Sequence, residues 1–184
     1  MAGLLWKADG SITLVKGSKN TFVDAGSPND RAFIIGALEL HGLTPADIAY
    51  VVCTHGHSDH VGNLNLFPGA TFIVSVDISI GDSYIWHDFS MGAYEIDKGV
   101  EVIATPGHTG SDVSVKVNTE DYGVVVIAGD LFEMAEDLDD PNLWQAVSEN
   151  QEVQAASRNY VLDIADHIVP GHGPKFEVPS WAKQ

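Results

Sequence analysis

"CTHGHSDHVGN", Cys53–Asn63, places three histidines and one aspartate within six residues, His55 to His60. At this composition the order His-x-His-x-Asp-His arises by chance in about one chain in a thousand. Alternating imidazole and carboxylate side chains are the donor set of a borderline divalent cation. The run "IAYVVCT", Ile48–Thr54, reads as a buried strand and ends directly at the first histidine. Three more buried-type strands end in a metal-competent residue beside glycine. "VEVIATP" (100–106) leads into Gly107-His108-Thr109, "GVVVIAG" (123–129) into Asp130, and "HIVPGHG" (167–173) carries His172. Loops at strand ends are a general way of building a site on a rigid frame.

Seven donors on four loops are too many for one tetrahedral zinc, which takes four. They suit two cations about 3.5–4 Å apart that share a carboxylate and a water. The expected division is His55, His57 and His108 on one ion, Asp59, His60 and His172 on the other, and Asp130 between them. Two Zn2+ are expected, with Mn2+ or iron as alternatives for a similar cage. Asp59 is assigned the catalytic role of orienting the metal-bound hydroxide as well as binding metal. Asp24 follows the early strand Thr21–Val23 and is expected to orient a ligating histidine through its other ring nitrogen.

Neighbouring residues receive plainer roles. Ser58 reads as a small turn residue rather than a nucleophile, and Cys53 as a small buried strand residue. His41, His87 and His167 read as surface or helix-end histidines. Trp144 and Phe132 are expected in core or loop packing rather than lining a pocket. The acidic run with Glu133, Glu136, Asp137, Asp139 and Asp140 is expected to be a solvated loop, with a lid role open.

Working outward, "SITLVKGSKNTFVDAG" gives two short strands around a turn. "SPNDRAFIIGALELHG" predicts a helix with Ser27 as N-cap, Pro28 at the first position, Phe33, Ile34, Ala37 and Leu38 on one face, and Gly42 as its stop. "TPAD", Thr44–Asp47, starts a short helix. "TFIVSV" (71–76) and "DVSVKV" (112–117) add β-branched strands. "SENQEVQAASRNYVLDIAD" predicts a second long helix, with a Ser148–Gln151 capping box and Val153, Ala156, Tyr160, Val161 and Ile164 along its apolar face. Without repeats, low-complexity tracts or linkers, residues 1–184 read as one α/β domain, its helices packed outside two sheets.

The net charge is −17, and the nine basic residues are scattered with no two adjacent. That pattern speaks against a polyanion-binding surface, although folding can gather distant lysines. One cysteine excludes an internal disulfide. Neither a membrane span nor a signal peptide at Met1 is evident, so cytoplasm, and also nucleus, is the expected location.

The combination T-H-x-H-x-D-H-x-G-N, P-G-H-T, A-G-D and P-G-H-G, spread from Asp24 to His172, resembles the metallo-β-lactamase superfamily. The resemblance implies an αβ/βα four-layer sandwich, two mixed sheets with outer helices, and metals at one edge of the sheets. His57 stands where the related flavodiiron oxygen reductases carry a glutamate, and the full ligand set disfavours the one-iron persulfide dioxygenases. No basic arm like that of transfer-RNA maturation nucleases is found, nor the helical domain of glyoxalase II after His172. The N-terminus looks one strand short of the family pattern. "THGHSDHVGNLNLFPGA", "ATPGHTGSDVSV", "AGDLFE" and the stretch from Leu143 to Val178 look like one subfamily, described as endoribonucleases acting at RNA 3′ ends in pre-mRNA processing.

Three function classes follow: a metal-dependent endoribonuclease with RNA as substrate, a hydrolase of a small ester, thioester or lactam, and a metal-binding regulator without turnover. A basic groove leading to His172 and Lys175 favours the first; its absence, with the acidic surface, favours the second. Intact Asp59 speaks against the third. No membrane partner is expected, and a homodimer stays open.

Overall fold

The computed structural model describes residues 8–183. Residues 1–7, and with them the reading at Met1, lie outside the described residues. Two six-stranded mixed sheets stack face to face. The first follows chain order: β1 (Thr13–Val15), β2 (Thr21–Val23), β3 (Tyr50–Cys53), β4 (Thr71–Val74), β5 (Asp77–Ile80) and β6 (Ser83–Ile85). The second holds β7 (Tyr94–Asp97), β8 (Val100–Ala104), β9 (Val113–Thr119), β10 (Gly123–Gly129), β11 (His167–Pro170) and β12 (Phe176–Glu177), again in sequential order across the sheet.

Strand alternation divides the apolar residues among three cores. Val23 of β2 and Val52 of β3 face inward and meet Val102, Val115 and Ile127 of the second sheet. Phe22, Val51 and Cys53 face outward and are covered by Ile34 and Leu38 of helix α1 (Arg31–Leu40). On the far side, Val126 and Ala128 of β10 and Ile168 of β11 pack under Val161 and Leu162 of a long helix, Gln151–Ile164. These layers make the αβ/βα sandwich expected from the resemblance. Each fully buried Ile or Leu stabilises it by roughly 1.5–3 kcal/mol.

Several local expectations are corrected. The first helix begins at Arg31, because the Asp30 carboxylate accepts from Ser27 N–H at 2.6 Å and Asp30 N–H bonds Ser27 O, closing residues 27–30 as a turn. Phe33 is exposed, so the covering face is narrower than its periodicity suggested. Gly42 does stop the helix: its φ is +70, and Leu43 N–H returns to Leu38 O. The long helix, α3, follows a short α2 (Asn142–Gln145) and is capped by Asn150, whose side chain accepts from Val153 N–H, not by Ser148. Its buried face is Gln154, Arg158, Val161 and Leu162, while Val153 and Tyr160 are exposed. Strands β5, β6, β7 and β12 were not anticipated.

β2 runs parallel to β3, and β10 parallel to β11. Parallel pairing brings the ends of these strands, and the loops after them, to the same edge. Thr54 O, just past β3, accepts from Val113 N–H at the start of β9, joining the two sheets there.

Candidate metal centre

At that edge the four loops converge. His55 Nε2 lies 2.9 Å from His57 Nδ1, and His108 Nε2 lies 3.1 Å from the same atom. Asp130 Oδ2 stands 3.6 Å from His55 Nε2, 3.4 Å from His108 Nε2 and 3.3 Å from His172 Nε2. Asp130 Oδ1 is 3.1 Å from His60 Nε2, and Asp59 Oδ2 is 3.8 and 3.9 Å from the Nε2 atoms of His60 and His172. All seven side chains named from the sequence therefore meet, in a set of His55, His57, His108 and Asp130 and a set of Asp59, His60 and His172.

The separations fit cations. Donors about 2.0–2.1 Å from a tetrahedral zinc are about 3.3 Å apart, and the first set is spaced from 2.9 to 3.6 Å. Buried His60 Nε2 and Asp130 Oδ1 have no hydrogen-bond partner despite facing each other, as expected of atoms that a cation would satisfy.

Surrounding groups set which ring nitrogen points inward. Asp24 is 1% exposed and sits at φ +59, a left-handed conformation unusual outside glycine. Its carboxylate accepts from Thr54 N–H at 2.7 Å and faces His60 Nδ1 at 2.9 Å. Thr54 Oγ1 links Asp24 Oδ2, at 3.1 Å, to His55 Nδ1, at 3.1 Å. His172 Nδ1 is 3.2 Å from the carbonyl of Asp9, and Ser11 N–H donates to Gly171 O. That N-terminal contact carries no sequence signal. Gly171 is required: any Cβ there would collide with Asp130 Oδ1. Gly107, at φ +142, has the α3 backbone at Gln154 where a Cβ would go.

Burial and mutual contact strongly perturb the charges of these groups. Burial pushes His55 down to about 2, and lowers His108 as well. Burial also works against a charged His60, but Asp130 and Asp24 on its two nitrogens outweigh it and hold its pKa at about 11. The contact with Asp130 raises His172 to about 9. Burial favours a neutral Asp130, yet its contact with His172 and the charge of the facing His60 ring keep it well below the usual carboxylate range.

The acidic run departs from expectation. Asp137 is buried and held bidentately by Arg158 of α3, at 2.7 and 3.0 Å, so this part is not a solvated loop. Arg158 lies 4.1 Å from the Phe132 ring and 4.8 Å from that of Trp144, and both aromatics are packing residues as expected. Glu133 turns into the centre, where burial, reinforced by Asp130, raises its pKa to about 8. Gln154 Nε2 donates to the carbonyls of Asp130 and Leu131. Neither Glu133 nor Gln154 was singled out in the sequence.

A cavity of about 650 Å³ opens over the cluster, with Met134, Leu143 and Val147 as apolar lining and Asp9 and Glu133 as further acids. Among the described residues no lysine or arginine lines it. Lys175 instead places its ammonium over the Tyr122 ring, 2.9 Å from the centroid.

Residues 7–172 match the metallo-beta-lactamase superfamily. The chain belongs to that superfamily. It is 48% identical to metallo-beta-lactamase domain-containing protein 1 of Xenopus laevis over 181 residues, covering 97% of this chain and 76% of the frog protein. The human protein of the same name is 49% identical over 165 residues, covering 88% of this chain and 61% of its own length. Among solved structures, an N-acyl homoserine lactone hydrolase with N-hexanoyl-L-homoserine at its catalytic metal centre superposes with a TM-score of 0.67. It is 21% identical, over 87% of this chain and 79% of that one, a likeness of fold alone. Superfamily membership and the His/Asp cluster together support a metal-dependent hydrolase.

Proposed function

We propose that this superfamily hydrolase holds two divalent cations, His55, His57 and His108 on one, Asp59, His60 and His172 on the other, with Asp130 shared. The observation that carries this is Asp130, whose carboxylate faces donors of both sets, Oδ1 toward His60 and Oδ2 toward His55, His108 and His172. Zinc suits the imidazole-rich set; Mn2+ and iron remain the alternatives. When bound, such a pair supplies an activated water and a Lewis acid. Asp59, partly open to the cavity, would bind metal and accept a hydrogen bond from that water, keeping it aligned. The cavity's apolar residues hold an acyl group or base beside it.

Two substrate classes rest on different observations. Similarity to the subfamily supports RNA cleavage at phosphodiesters, the endoribonuclease reading. The cavity supports a small ester, thioester or lactam, since Met134, Leu143 and Val147 suit an acyl chain and, among the described residues, no lysine or arginine lines it. On the geometry, the acyl substrate is the better fit. If RNA is the substrate, the described lining of the cavity leaves the cations as its anchor, and cleavage should then show a shallow dependence on salt. The test is a panel of single-stranded RNA at low salt, acyl thioesters and lactones, presented to protein with measured metal content. Turnover of thioester or lactone with RNA intact supports the acyl reading, and RNA cleavage alone overturns it. No turnover of any member by protein carrying two ions overturns the hydrolase assignment.

A further inference from the structure

Four histidines of the centre present Nε2 inward, and three have Nδ1 engaged: His55 by Thr54 Oγ1, His60 by Asp24, and His172 by the Asp9 carbonyl. His108 is the fourth. Its Nδ1 is buried without a hydrogen-bond partner, and so is Glu133 Oε1. These two orphaned atoms are 3.8 Å apart. The Glu133 side chain is only 13% exposed. A donor and an acceptor left unsatisfied side by side in the interior are disfavoured, and a small side-chain rotation joins them.

The backbone around Glu133 is fixed. Its N–H donates to Asp137 Oδ2 at 2.8 Å, and Asp137 is itself clamped by Arg158. Its carbonyl accepts from His172 N–H at 2.8 Å, while Oε2 lies 3.8 Å from His172 Nε2. Glu133 thus touches a residue of each proposed metal set. We propose that Glu133 is a positioning residue: its Oε1 accepts from His108 Nδ1–H and fixes the tautomer and ring plane that aim Nε2 at the cation, while its carbonyl sets the backbone of His172. The inference rests on the two-cation reading above. It also removes one acid of the 133–140 run from surface chemistry and gives it a site role.

The full chain is loaded with two equivalents of zinc, and affinity is read by chelator competition for the wild type, Glu133→Ala and Glu133→Gln. The alanine variant should lose about 10–100-fold at one of the two sites, the range for removal of such a partner. Glutamine keeps a carbonyl acceptor and should stay within about threefold of the wild type. Equal retention in all three, or equal loss in alanine and glutamine, overturns the proposal. If the alanine variant does not fold, long-range 1H–15N spectra of the zinc-loaded wild type decide. A slowly exchanging His108 Nδ1–H that shifts in Glu133→Gln supports the proposal, and its absence overturns it. A wild type that takes up no zinc instead overturns the two-cation reading, so the two failures are distinguishable.

Discussion

Asp24 shows how much one side chain can settle at this site. A single carboxylate bonds the Thr54 backbone, the Thr54 hydroxyl and His60, and so fixes the start of the histidine loop and the orientation of one of its rings. Asp24→Ala should therefore weaken binding of one zinc equivalent by about 10–100-fold, with His60 free to turn. Chelator competition on the purified variant checks this, and a change under threefold contradicts it. Asp24 was flagged by its place at the end of the short strand Thr21–Val23, although an acid there serves equally as a strand cap, and it is the contact with His60 Nδ1 that sets its role. Glu133 was not. It sits among Glu136, Asp137, Asp139 and Asp140, and composition cannot tell which acid of such a run turns inward. Asp137 is hidden for a related reason: its partner Arg158 is 21 residues away on another element.

At the scale of elements, α3 does more than cover the second sheet. Its buried face alternates apolar Val161 and Leu162 with polar Gln154 and Arg158, and the polar pair holds the segment that carries Asp130 and Glu133. Periodicity misjudged this face because it counts apolar residues, whereas Gln154 and Arg158 are buried with their side-chain N–H groups donating to a loop distant in sequence. Arg158→Met would leave the Asp137 carboxylate buried and uncompensated, and should cost about 3–5 kcal/mol. Removing the cap with Asn150→Ala should cost only about 1 kcal/mol. Urea unfolding of the two variants gives the comparison; equal losses would mean that the Arg158–Asp137 pair does not anchor the loop. The unanticipated strands have a physical explanation too. β6 is exposed along its length and β12 is two residues long, so neither carries the apolar alternation that marked β3, β8 and β10.

For the whole molecule, the edge where four strand-end loops meet is both the proposed site and a concentration of perturbed charge, so metal and pH must act on stability together. In the metal-free protein His55 stays neutral down to about pH 2, against 6.5 ordinarily. Below pH 6.5 the unfolded chain therefore binds a proton there that the folded chain refuses, and stability falls on acidification. His60 and His172 have the opposite sign. Their folded pKa values, about 11 and about 9, lie above 6.5, so their contribution is complete below pH 6.5 and is lost as pH rises toward those values. Glu133 acts in the same sense between 4.5 and about 8, because only the folded chain keeps its proton there. Each such proton changes stability by about 1.4 kcal/mol per pH unit. The metal-free protein should accordingly lose Tm from pH 6.5 to 8.5. Cations compete with the protons on His60 and His172, so their stabilising effect should increase over the same interval. Thermal melts with zinc and with excess chelator, taken at steps between pH 6 and 9, read both effects. A metal-free Tm that is flat or rising above pH 6.5, or a zinc-induced gain that does not grow with pH, would show that His60 and His172 do not carry these protons at the cluster.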